Sequence, residues 1–276
     1  MQSQKEISLQ SASLEAKARK ALDRSASVWF LIALAGQWFF ALYILGFYGR
    51  TSVNGNYESW NEHLFKGIIE NDFLGNLFLF MHLILAFMIT LGGPLQFFPK
   101  FRKKYRAFHR WNGKIYILIA LLISLDGLYL ILSRGVIGGI GMMGGNMLNA
   151  SLIMTFSVMA FLTARKKQFA DHRKWAIRTF LMVSGVWFFR VGFAFWIFIN
   201  QGAPGHTENF DGPFDFFLAY GHSLVPLAIA ELFFLAERSK QVQAKFSMTA
   251  LMILLSLITA LGIFMATQIF WIPEMG

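Results

Sequence analysis

Apolar residues run through this chain in long blocks, and the short connections between the blocks hold more than half of the charged residues. Blocks long enough to cross roughly 30 Å of hydrocarbon occupy residues 28–48, 73–93, 113–133, 148–165, 174–200, 214–236 and 247–271. The pattern predicts an all-α, polytopic membrane helix bundle of about seven transmembrane helices, forming a single domain over 28–276. Residues 1–27 are polar, with Lys5, Lys17, Arg19, Lys20 and Arg24 set among Leu and Ala. They are read as a cytoplasmic segment able to lie as a helix on the membrane surface. The first apolar block is too long for a signal-peptide core, and no small-residue cleavage site follows it, so it is read as a retained span.

Charge alternates between connections. The connection 99–112 carries Lys100, Arg102, Lys103, Lys104, Arg106 and Arg110. Arg165, Lys166, Lys167, Arg173 and Lys174 follow the fourth block, and Arg238, Lys240 and Lys245 follow the sixth. The intervening connections are acidic, with Glu58, Glu62, Glu70 and Asp72 in one and Glu208 and Asp211 in the other. Basic connections mark the cytoplasmic face, so the N-terminus is expected inside and the C-terminus outside, in a bacterial cytoplasmic (inner) membrane. The formal charge of +10 is then accounted for by those loops. Anionic lipid headgroups are its expected partners, and nucleic acid is not.

Composition narrows the chemistry. The chain has 276 residues, of which 14% are charged, against about 25% in soluble domains, so no second soluble domain fits. Cysteine is absent, which excludes disulfides, thiolate metal sites, iron–sulfur ligation and covalent c-type haem. No GxSxG, HExxH or P-loop phrase occurs, which disfavours a hydrolase. The stretch 134–147 holds six glycines and is expected to be a flexible, partly membrane-dipping outer loop. Met142, Met143 and Met147, with outer His63 and His206, are either candidate ligands for a soft metal such as Cu(I) or apolar fill.

Ionisable residues inside the apolar blocks define the candidate site. At 1.5 Å per residue, His82 and His222 both lie roughly 13 Å from the outer ends of their helices. Asp126 and Arg190 fall about seven and ten residues below theirs, on the same scale. Charges in hydrocarbon are costly unless paired or wet, so four of them in one layer suggest a common site. Asp126 and Arg190 could form an ion pair joining the third and fifth spans, or a proton relay with an anion-facing Arg. His82 and His222 could be hydrogen-bonded within the bundle, or be the axial ligands of a haem b. Pro226, four residues after His222, should loosen its helix there.

A second layer lies near the cytoplasmic face. His109-Arg110-Trp111 and His172-Arg173-Lys174-Trp175 each open an outward-running span. Their histidines are candidates for a second haem, for binding an anionic headgroup or phosphate, or for interfacial anchoring beside Trp111 and Trp175. Arg178 and Glu231 sit at matching depth and are expected to pair; Arg178 or Arg190 could also neutralise haem propionates. Gly92-Gly93-Pro94 should end the second span and leave Gln96 close to His109.

The chain resembles a bacterial membrane-protein family catalogued as domain of unknown function 2306 (DUF2306). The resemblance rests on Gly93-Pro94-Leu95-Gln96-Phe97, on His109-Arg110-Trp111-Asn112-Gly113-Lys114-Ile115-Tyr116 and on Asp171-His172-Arg173-Lys174-Trp175-Ala176-Ile177-Arg178. It implies a multispan membrane fold and no reaction. A looser similarity is to the b561-type dihaem cytochromes, which hold four histidines as an outer and an inner pair. That similarity implies a haem-b electron-transfer protein with a redox partner, or a membrane oxidoreductase, using His82 with His222 and His109 with His172. Two further readings stay open: a proton-coupled transporter or channel through Asp126, Arg190 and the outer histidines, and a non-catalytic membrane subunit. Neither an inverted repeat nor a matched pair of broken helices is evident for a transporter.

Overall fold

The structure, a computed structural model, describes residues 2–98 and 104–275. Lys100, Arg102 and Lys103 of the first basic connection lie outside the described residues. Helix α1 spans Gln2–Ile44 and continues through a π turn, Leu45–Gly49, into a last α turn, Arg50–Val53. A 3-10 turn at Glu58–Glu62 precedes α2, Phe73–Gly92, which ends in a 3-10 turn at Pro94–Phe97. Then come α3, Arg106–Arg134; α4, Gly139–Arg165; α5, Phe169–Val183; α6, Gly185–Asn200; and α7, Pro213–Arg238. The last helix, α8, Val242–Ala266, runs through a second π turn, Thr267–Trp271, into Ile272–Met275. No strand occurs among the described residues.

Six helices are each long and apolar enough to cross a membrane, and α5 and α6 together pass the same test across a 57° bend. Their contacts with α7 show how that pair runs. In order along the chain, Arg173 bonds Glu237 and Arg178 bonds Glu231. Gly185 then faces His222, Gly192 faces Leu218, and Trp196 stacks on Phe214. The pair therefore follows α7 antiparallel from one end to the other, as one broken span. With it the bundle has the seven spans that the apolar blocks predict.

Neighbouring helices close a ring in the order α1, α2, α3, α4, α7, α6, α8 and back to α1, with α5 against α4 and α7. A ladder fixes the register of α2 on α3. Arg134 bonds Asp72 (2.7 Å), Phe78 packs on Tyr129, His82 meets Asp126, and Asn112 Nδ2 donates to the Gly92 carbonyl (3.1 Å).

Three expectations are corrected. Residues 2–27 are not a separate surface helix: they extend α1, burying Ala18 and Leu22. Glu15 there lies 3.6 Å from the buried Lys245 at the start of α8. The glycine-rich stretch is a loop only at residues 135–138, because α4 begins at Gly139. Gly141, Gly144 and Gly145 on α4 form a contact face toward α7 rather than a hinge. A Cβ at Gly145 would lie 2.1 Å from the Ala219 carbonyl oxygen, and one at Gly144 would meet the Tyr220 hydroxyl. Close approach to α7 thus outweighs the helix-propensity cost of glycine, about 1 kcal/mol each. Finally, residues 174–200 are not one helix, whereas α7 continues through Pro226.

The break falls at Ser184–Gly185, and Ser/Gly pairs are among the ordinary causes of sharp kinks. Ser184 Oγ donates back to the Phe180 carbonyl (2.8 Å) and accepts from Gln37 Nε2 on α1 (2.7 Å). Asn149 on α4 donates to the Met182 carbonyl (3.0 Å) and to Ser223 Oγ on α7 (2.8 Å). Polar side chains from three helices thereby supply hydrogen bonds at the interruption, the condition under which a broken helix is tolerated in lipid.

Candidate functional site

The helices facing the bend leave a cavity of about 220 Å³ between α1, α2, α3, α5 and α6. Along α2 its lining runs from His82 to Thr90, roughly 12 Å of depth, and Tyr48 and Leu64 border its outer end. Phe40, Leu83, Ile89 and Val183 give it apolar walls, while Gln37, Tyr43, Tyr116, Ser184 and Arg190 bring polar groups to it. Such a mixture, apolar walls with a few convergent polar groups, is the usual composition of a small-molecule site.

His82 is held by its Nδ1, 2.7 Å from Asp126 Oδ2. With Asp126 ionised, the Nδ1–H donates to the carboxylate, and Nε2 is the ring nitrogen left over. Asp126 is buried at 4% exposure, and its Oδ1 has no hydrogen-bond partner among the described residues.

Arg190 comes from the second turn of α6. Its guanidinium lies over the Phe40 ring of α1, 5.3 Å from the centroid, a cation–π contact. No carboxylate lies within salt-bridge distance of it among the described residues. Two nearby donors are unpartnered: the Tyr116 hydroxyl and Trp187 Nε1 are both buried, both on cavity-lining residues, and without a hydrogen-bond acceptor among the described residues. Buried polar groups ordinarily find partners in protein or water, so these two donors stand out among the packed residues around the cavity.

The structure redistributes the expected outer-layer residues. The expected Asp126–Arg190 pair is not formed: Asp126 faces α2 and bonds His82, while Arg190 points across the cavity to α1. His82 and His222 do not meet either. His222 is buried, donates from Nδ1 to the Leu218 carbonyl (3.0 Å), and packs against Gly185. Ser184, Val186 and Trp187 face the cavity, so the first turn of α6 stands between the two histidines. Haem b does not fit this arrangement: one of its two proposed ligands is outside the cavity. The volume also falls below the roughly 300–1,000 Å³ that encloses drug-sized ligands.

The inner histidines are likewise apart. Gln96 in its satisfied orientation donates to His109 Nδ1 (2.8 Å) and accepts from the Gly113 N–H (3.0 Å), closing the α2–α3 corner as the Gly-Gly-Pro break predicts. His172 Nδ1 instead lies 2.9 Å from the Ala160 carbonyl of α4. Arg178 grips Glu231 with two bonds, 2.6 and 2.9 Å, and lies over Trp175, the expected pairing. On the outer side, His63 bonds Glu274 (2.6 Å) and His206 bonds the fully buried Asp215 (2.6 Å). Met142 is buried, and among the described residues no cluster of three His, Asp or Glu is placed to hold a metal.

Three contributors escaped sequence reasoning. Gln37 and Ser184 bracket the bend, and the Ser184–Gly185 dipeptide was the available signal. Arg134, only 5% exposed, clamps the outer loop by bonding Asp72, Asn76 and the Gly67 carbonyl. Asp72 also caps α2 by accepting from the Gly75 N–H. The Arg134 hydrogen bonds hold its carboxyl below the ordinary aspartate value.

Comparison with known proteins agrees with the architecture and adds no reaction. Residues 79–208 match the family described as "Predicted membrane protein (DUF2306)", a range that contains all three phrases quoted above. No curated protein and no solved structure matches the chain, so the similarity to b561-type cytochromes finds no support there.

Proposed function

We propose that this multi-pass membrane protein is a proton-coupled carrier of a small polar solute, with the central cavity as its binding site. One observation carries the reading. A span broken near its midpoint borders a polar cavity lined by His82, which Asp126 bonds from behind, and by Arg190, which pairs with no carboxylate among the described residues. Transporters commonly place their sites at discontinuous helices, where half-helix ends and freed backbone groups meet the solute. A continuous helix has no comparable opening. Ionisable groups inside a membrane domain also mark proton and ion pathways more often than they mark packing.

In mechanism, His82 and Asp126 act as the proton acceptor and Arg190 as the fixed charge that orients the solute. Protonation of the dyad changes the charge beside the bend. A two-state element biased by such a charge shifts its population only through differential affinity for the proton. The bend between α5 and α6 is that element, with Gln37 reaching Ser184 from across the cavity.

Native cysteine is absent, so single cysteines report access cleanly. Leu64→Cys at the outer end of the cavity and Thr90→Cys at the inner end would be labelled by a small thiol reagent in membrane vesicles between pH 5.5 and 7.5. Reciprocal changes are expected, one site opening as the other closes, with His82→Gln flattening both profiles. Labelling that is indifferent to pH, or unaltered by His82→Gln, would refute the carrier reading.

A further inference from the structure

The charges at the cavity, Arg190 and His82 in its lining and the buried Asp126 bonded behind His82, specify what it can hold. With His82 neutral, Asp126 and Arg190 cancel. With His82 protonated, one positive charge is left over in a low-dielectric space, where an uncompensated charge is expensive. The other titratable groups facing this space are Tyr43 and Tyr48 on α1 and Tyr116 on α3, all neutral as phenols, while α5 contributes none. Glu274, which influences Tyr43 and Tyr48 from the C-terminal turn, is already bonded to His63.

Resting on the carrier reading, we infer that the solute is a short-chain monocarboxylate, bound together with one proton. Its carboxylate sits at Arg190, whose planar fork matches a carboxylate in a way a spherical anion cannot reproduce. Arg190 is placed for this because its guanidinium is held over Phe40 and not by an acidic side chain. The alkyl portion has Leu83, Ile89 and Val183 to lie against.

Size and charge exclude the alternatives. A volume of about 220 Å³ corresponds to roughly seven waters at about 30 Å³ each, too little for a long acyl chain or a nucleotide. A dianion such as hydrogen phosphate would leave a net negative charge even with His82 protonated. The monoanion with its proton restores neutrality. Linkage is reciprocal, so the carboxylate raises the proton affinity of the dyad, and protonation raises the affinity for carboxylate.

Binding in detergent is the suitable test, because short-chain acids cross bilayers unaided in their neutral form. The purified protein would be titrated with butyrate, with uncharged butyramide and with chloride, by calorimetry and thermal shift at pH 5.5 and 7.5. Butyrate alone should bind, and more weakly at pH 7.5 than at pH 5.5, by at most about tenfold per pH unit for a single linked proton. Arg190→Gln should abolish binding. Adding butyrate to wild-type protein in weak buffer should draw about one proton per bound anion, a readout that holds even if Arg190→Gln does not fold. Equal binding of butyramide or chloride, butyrate binding that survives Arg190→Gln, or the absence of proton uptake would each overturn the inference. If butyrate fails while the cysteine profiles still respond reciprocally to pH, the carrier reading stands and the monocarboxylate falls. If butyrate binds with proton uptake while those profiles stay flat, the binding site stands and the carrier falls.

Discussion

Replacing Gly145 by alanine tests whether close contact between α4 and α7 sets the geometry of the bend. The added Cβ would lie 2.1 Å from the Ala219 carbonyl oxygen and 2.6 Å from its carbon. Both are backbone atoms and cannot rotate aside. Restoring ordinary contact near 3.4 Å requires the helices to separate by more than about 1 Å, an overpacking strain of about 1–3 kcal/mol. One turn along, the 2.8 Å bond from Asn149 to Ser223 would stretch beyond hydrogen-bonding range, losing about 1 kcal/mol more. Higher helix propensity returns about 1 kcal/mol, leaving a net loss of about 1–3 kcal/mol. At roughly 2–4 °C per kcal/mol for a chain approaching this size, the melting temperature in detergent should fall by several degrees. Gly141→Ala is the matched control. Its Cβ would meet only the edge of the Phe216 ring at 3.2 Å, and that side chain is 58% exposed and free to turn. Its stability should equal or exceed that of wild type. If Gly145→Ala melts with Gly141→Ala and wild type, tight α4–α7 packing does not position the bend.

Asn149→Ala should cost about 1–3 kcal/mol, since it strips the Met182 carbonyl and Ser223 of their buried donor; hydrogen exchange should rise in residues 181–187, and a change elsewhere alone would count against the bracing role. Because the Arg134 bonds depress the Asp72 pKa, the outer clamp should be intact above the ordinary aspartate value of 3.8 and loosen as pH falls through the lower folded value. Proteolysis of the 54–72 loop at graded pH checks this, and Arg134→Gln should make the loop susceptible even at neutral pH. Single cysteines at Asn56 and Glu208 should react with an impermeant reagent from outside the cell, and one at Lys167 only after permeabilisation. Labelling of Lys167 and Glu208 from the same side would refute the broken-span topology.

Depth along a helix is readable from residue counting, and so the sequence could set His82 level with Asp126, which the structure bonds together. Azimuth is not. A helix turns about 100° per residue, so equal depth leaves open which neighbour a side chain faces. Asp126 proved to face α2 and Arg190 to face α1, and the two opposite charges never met. The Arg178–Glu231 pair and the Gln96–His109 corner were legible because a matched depth or a Gly-Gly-Pro break constrained the partners further. The helical glycines were illegible for a different reason. Gly141, Gly144 and Gly145 weaken a helix by local propensity, and only the proximity of α7, a tertiary fact, makes them favourable. Ser184–Gly185 was visible but unremarkable inside so apolar a run, where hydropathy averaging hides a single-residue interruption.

The broken span is fastened to α7 by two unlike chemistries. Its α5 half is tied by Arg173–Glu237 and Arg178–Glu231, in which Arg173 and Glu231 are each 43% exposed. Its α6 half is tied by ring stacking, Trp196 on Phe214 at 4.5 Å and Phe193 on Phe214 at 6.2 Å. Salt screens partly exposed ion pairs over a Debye length of about 8 Å at physiological ionic strength, while aromatic stacking is largely indifferent to it. The joint therefore has one arm that the ionic strength of the adjoining solution can slacken and one that holds fast against it.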